Sequence, residues 1–96
     1  MAESDAPSHL GTIINTNIST ILWVNHGTNR KTGQIIGKSE KYVRQRINGT
    51  LEWQPVDVEK IARAYGYDPI EIMRPDFTAR IPDLIPSNNE PTPEDR

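Results

Sequence analysis

Six basic side chains, Arg30, Lys31, Lys38, Lys41, Arg44 and Arg46, fall between residues 26 and 50 with Glu40 as the only acid, so this quarter of the chain carries +5. The 96 residues together carry −2. The chemistry open to such a set is ionic: ammonium and guanidinium groups donate to the oxygens of a polyanion, and Arg, Lys and Gln on one helix face can also hydrogen-bond the edges of nucleobases. A solvated helix face has the same composition, so the neighbouring elements must decide between the two. The remaining segments, 1–25, 51–74 and 75–96, carry −2, −2 and −3. A mildly acidic chain with its positive charge gathered in one place has an asymmetric field that steers an anion to one side.

Other chemistries find no foothold in the sequence. There is no cysteine, which excludes disulfides and thiolate metal sites. His9 and His26, the two histidines, have no carboxylate or second ligand at metal-binding or catalytic spacing, and no phosphate-cradling glycine loop after a strand, nucleophile elbow or pair of carboxylates with an evident pocket occurs. Neither an enzyme nor a cofactor or metal is expected. The glycosylation-like triplets at Asn17 and Asn48 read as chance matches without a secretory signal. The longest apolar run, Ile21 to Val24, is far short of a membrane span or signal core. A soluble protein of the bacterial cytoplasm or nucleoid is the expectation.

The elements that would position the bases read as helices. Ninety-six residues, 34% of them apolar, with eight prolines, suit one small domain with loosely packed or disordered ends. We expect a flexible arm over residues 1–10, a helical domain over 11–75 and a Pro-rich acidic tail over 76–96. Ile14, Ile18, Ile21 and Leu22 share one helical face despite their β-branching, with Trp23 and Val24 flanking the core and Gly27 as a left-handed cap. A second helix runs from Thr28 or Asn29 as its cap to Ile36, where Gly37 stops it. Ser39 caps a third, with Glu40 near its positive end, Tyr42, Val43 and Ile47 inward, and Asn48-Gly49 ending it. Pro55 opens a fourth carrying Val58, Ile61, Ala62 and Tyr65, ended by Gly66. Asp68, Pro69 and Glu71 form a capping box that opens a fifth, carrying Ile70, Ile72 and Met73 up to Pro75. Trp23, Trp53 and Tyr65 are expected in the core.

Over "TGQIIGKSEKYVRQRINGT" the chain resembles the lambda-repressor-like helix-turn-helix family of phage repressors and Xre-type proteins, five-helix all-α domains that bind DNA operators. Gly33 matches the small residue in the family's second helix, Gly37 its turn glycine, Ser39 its cap, and Ile47-Asn48-Gly49 a frequent ending of its recognition helix. "VEKIARAYGYDPIEI" is similar to its fourth helix and the passage into its fifth. The likeness covers Ile18 to Met73. Two departures stand out: residues 12–25 lack the family's basic, Leu-rich first helix, and Arg46 replaces a core aliphatic. Either Arg46 runs its stem over the core and sets its guanidinium on a phosphate, or the helix is rotated.

The resemblance implies a sequence-specific double-stranded-DNA-binding transcriptional regulator, a phage or prophage repressor-like protein occupying an operator through the major groove, as a homodimer on DNA. Lys41, Arg44 and Gln45, with Glu40 beside them, are then the base-reading residues. Glu40 equally serves as a dipole-stabilising acid. Asn29, Arg30, Lys31, Thr32, Lys38, Ser39, Arg46, Asn48 and Thr50 are the phosphate-binding candidates, and Lys38 can also be read as an idle turn lysine. An alternative is an Xre-type antitoxin or protein-interaction module that binds a protein partner through residues 76–85, where Phe77, Ile81, Leu84 and Ile85 interrupt a polar tail. Those residues can also dock on their own domain.

Overall fold

Side-chain caps decide where the helices begin. The computed structural model describes residues 7–81, in which four α-helices, α1 (His9–Val24), α2 (Asn29–Ile36), α3 (Glu40–Ile47) and α4 (Pro55–Ala64), precede a 3-10 turn at Pro69–Met73. The Ser8, Thr28 and Ser39 hydroxyls accept from the N–H groups of Gly11, Lys31 and Tyr42 at 2.8, 3.0 and 3.1 Å, each satisfying a donor that the first helical turn leaves open. Of the two caps considered for α2, the chain uses Thr28. α1 starts at His9, inside the stretch expected as a free arm, because Ser8 also donates from its N–H and its hydroxyl to the Glu52 carboxylate.

The described residues contain four α-helices and no strand, an all-α arrangement. The expected fifth helix is the 3-10 turn. Its Asp68–Glu71 capping is present, with Asp68 N–H donating to Glu71 Oε1 at 2.9 Å. Pro75 forces Arg74 into extended backbone, ψ 135°, because a residue before proline avoids the helical region. Five residues between Asp68 and Arg74 leave no length for a longer helix.

The core is drawn from every element: Ile18, Ile21 and Leu22 of α1, Ile36 of α2, Val43 of α3, Val58, Ile61 and Ala62 of α4, with Trp53, Tyr67 and Ile72 closing it. Trp23 is not part of it. It is 80% exposed, since one helical step beyond Leu22 turns it off the inward face. The left-handed residue ending α1 is His26 (φ 57°), not Gly27: Gly27 N–H donates to Leu22 O at 2.7 Å and His26 N–H to Trp23 O at 3.3 Å, the paired bonds of a Schellman cap. Gly27 is small for another reason, since a Cβ there would lie 3.1 Å from Leu22 Cδ2 and 3.2 Å from the Tyr65 hydroxyl.

Buried Asn17 ties the 3-10 turn to α1 by donating from Nδ2 to the carbonyls of Ile72 and Arg74 at 2.7 and 2.9 Å. Residues 76–80 stay on the domain. Phe77 packs edge-on against Tyr67 at 5.3 Å between ring centroids, Arg80 N–H donates to the Tyr67 hydroxyl at 2.8 Å, and the Arg80 guanidinium lies 4.0 Å over the same ring. Leu84 and Ile85 lie outside the described residues. No helix among those described is long and apolar enough to cross a membrane.

Candidate nucleic-acid interface

The α2–turn–α3 unit is closed by backbone contact. Lys38 N–H donates to Gly33 O at 2.9 Å, and a Cβ on Gly33 would meet the Lys38 carbonyl oxygen at 2.5 Å. Gly33 is thus buried under the turn leading into α3. Gly37 has a different role: its φ is 75°, while an added Cβ would meet nothing within 4 Å, so its requirement is backbone conformation alone.

Burial fixes which side of α3 faces outward. Val43 and Arg46 are buried, Tyr42 and Ile47 half-buried. At about 100° per residue the opposite side is centred on Lys41, with Arg44 and Gln45 flanking it. Lys41, Arg44 and Glu40 are exposed and Gln45 is half-buried. The four residues expected to read bases therefore share one outward surface. Arg30 and Lys31 at the start of α2, and Lys38 and Ser39 in the turn, are exposed as well, with Asn29 half-buried. The two ion pairs among the described residues, Glu59–Arg63 and Arg74–Asp76, involve none of these bases. Arg30, Lys31, Lys41 and Arg44 therefore carry charge that no ion pair among the described residues takes up, while Lys38 Nζ lies 5.1 Å over the Tyr42 ring.

Two phosphate candidates are overturned by burial. Thr32 is fully buried, and its hydroxyl donates to Thr28 O at 2.8 Å within its own helix, a bond that threonine makes readily to the preceding turn. Arg46 is 8% exposed. Its guanidinium carbon lies 3.5 Å from the centroid of the Tyr42 ring, one helical turn earlier, and Nη1 donates weakly to Tyr42 O at 3.4 Å. The charged head is taken by an aromatic face and not by solvent. The helix keeps the phase expected from Val43 and Ile47. Asn48 and Thr50 remain exposed, although Asn48 Oδ1 already accepts from Thr50 N–H at 2.9 Å.

Two contacts beneath α3 escaped the reading of the sequence. The Tyr42 hydroxyl donates to Asp57 Oδ2 at 2.6 Å, where Gln54 N–H also donates at 3.2 Å. On the other flank Asn15 Nδ2 donates to Ile47 O at 3.0 Å. The Tyr42 phenol is pushed above its ordinary pKa by burial first, then by its bond to Asp57 and the charge of that carboxylate, with Arg46 pulling the other way. The one signal for Asp57 was its place three residues after Gln54, the N-cap of α4, where an acid closes a capping box. Nothing local pointed to Tyr42 as its partner.

A groove of about 640 Å³ elsewhere on the surface is lined by Leu10, Ile14, Trp53, Val56, Ile70 and Met73 among others, with no residue of α2 or α3. Compared with protein-family models, with curated proteins and with solved structures, the chain matches none.

Proposed function

We propose that the protein is a sequence-specific double-stranded-DNA-binding regulator of the helix-turn-helix kind, occupying an operator as a repressor does. The observation that carries the proposal is the α2–turn–α3 unit itself: a glycine-closed backbone junction that presents Lys41, Arg44 and Gln45 on one unpaired outward face, with Arg30, Lys31 and Lys38 beside it. A helix of this size fits the major groove. Arg44 and Lys41 suit the O6 and N7 acceptors of guanine, Gln45 suits adenine, and Glu40 can accept from a cytosine amino group. The bases of the α2 start and the turn hold phosphates and set the register. One such unit reads only a few base pairs, so two copies on half-sites about 34 Å apart complete the site.

The alternative, a partner-binding module acting through residues 76–85, is less well supported. Phe77, the largest apolar side chain of that stretch, is already engaged by Tyr67. Selection of bound duplexes from a random pool tests the proposal: a recovered consensus supports it, and enrichment of no sequence over the starting pool contradicts it.

A further inference from the structure

α3 is gripped only weakly by apolar packing. Of its eight residues Val43 is the single fully buried apolar one, and α3 packs mainly on α2, far less on α1, with little backbone contact to α4. Apolar burial is non-directional. With Tyr42 and Ile47 only half-buried beside Val43, this packing gives α3 its inward side but leaves its exact rotation loosely held.

Two directional bonds can set it, one on each flank. Asn15 of α1 holds the last carbonyl of α3, and the Tyr42 hydroxyl in the first turn of α3 reaches Asp57 of α4 at 2.6 Å. The second bond sits in costly surroundings. Asp57 is 1% exposed and its Oδ1 has no partner among the described residues; Arg46, stacked on the same tyrosine, has an unpartnered buried Nε. Stability alone favours an apolar residue at such a place, because a buried charge with incomplete hydrogen bonding costs more than well-packed hydrocarbon. Reading base edges, in contrast, requires side chains held to within about 0.5 Å and 10–20°.

We infer that Tyr42 and Asp57 are positioning residues, whose hydrogen bond sets the rotation at which α3 presents Lys41, Arg44 and Gln45. The effect on DNA rests on the proposed function; the effect on helix orientation does not.

Tyr42→Phe removes the bond while leaving the Gln54 N–H to Asp57 bond that caps α4. In the full chain, residual dipolar couplings of Tyr42→Phe should depart from the native orientation in α3 while α1 and α4 still fit. In competition titrations the ratio of specific to nonspecific affinity should fall about tenfold, the scale of one lost base contact, with nonspecific affinity held within about twofold. Asp57→Asn, with Tyr42 in place, keeps an acceptor at the Oδ2 position and should leave both native. Asp57→Leu removes the bond together with the Gln54 N–H contact at the start of α4, so if Tyr42→Phe does not fold it tests the orientation of α3 against α1 alone. Native α3 couplings in Tyr42→Phe or Asp57→Leu overturn the inference, and so does equal loosening of α1 and α4. If the native chain selects no DNA sequence, the proposed function falls and the couplings alone decide the positioning role.

Discussion

A Cβ on Gly33 would stand 2.5 Å from the Lys38 carbonyl oxygen, and the same two residues share a backbone hydrogen bond at 2.9 Å. The obstacle is backbone, so no rotamer change relieves it. Gly33→Ala is expected to lower stability by about 1–3 kcal/mol through overpacking, outweighing the roughly 1 kcal/mol that alanine gains over glycine within a helix. Gly33→Leu should cost more. The midpoint of urea unfolding checks this, and an unchanged midpoint for alanine would mean that the turn at Lys38 gives way to the added methyl group.

His26 occupies a left-handed conformation, φ 57°, that costs a non-glycine residue roughly 1 kcal/mol. His26→Gly should raise the thermal midpoint by an amount equivalent to at most about that figure, since glycine also loses more entropy on folding. His26→Val should lower it. A destabilising His26→Gly would mean that the imidazole makes a contact worth more than the backbone strain.

Two phenols give the protein an alkaline limit. The pKa of Tyr42 is raised from 10.0 chiefly by burial and then by Asp57, and that of Tyr65 by burial alone. A raised value means that the folded chain holds the proton more tightly than the unfolded one. Their contribution is therefore complete below the unfolded value of 10.0 and is lost as pH rises through the folded values. Unfolding midpoints measured across that range should fall, with a shallower fall in Tyr42→Phe. A midpoint that climbs above the unfolded value contradicts the sign.

The features legible in the sequence are those whose cause is local. Ser39 caps α3 through a hydroxyl three residues from its partner, and Gly37 is needed for its own backbone. The inward side of α3 could be read from Tyr42, Val43 and Ile47, although Arg46 is more buried than Ile47. What escaped depends on residues far apart in the chain. Asn17 reaches carbonyls 55 and 57 residues away, and the Tyr42–Asp57 bond spans 15. Arg46 looked like a phosphate ligand because its charge is visible in the sequence, whereas the aromatic face that takes it depends on how deeply Tyr42 sits. Thr32 misled similarly: a hydroxyl suggests a solvent contact, but within a helix it can bond to the preceding turn and bury its methyl group.

Salt should weaken DNA binding steeply. With Arg46 buried, the exposed bases of the unit are Arg30, Lys31, Lys38, Lys41 and Arg44. Neutralising about four phosphates gives a log–log slope near −3.6. A nearly flat titration between roughly 50 and 200 mM salt would remove the backbone from the interface.

The most direct measurement compares Arg44→Ala with Lys31→Ala in competition titrations against a selected duplex and random duplex. Arg44 projects from the outward side of α3, while Lys31 stands in the first turn of α2. Arg44→Ala should lower the specific affinity by about 1–3 kcal/mol and leave nonspecific affinity nearly unchanged. Lys31→Ala should weaken both duplexes alike and reduce the salt slope by about one. If Arg44→Ala, Lys41→Ala and Gln45→Ala all leave the ratio of specific to nonspecific affinity unchanged, the outward side of α3 is a solvated charged surface and the proposed recognition is wrong.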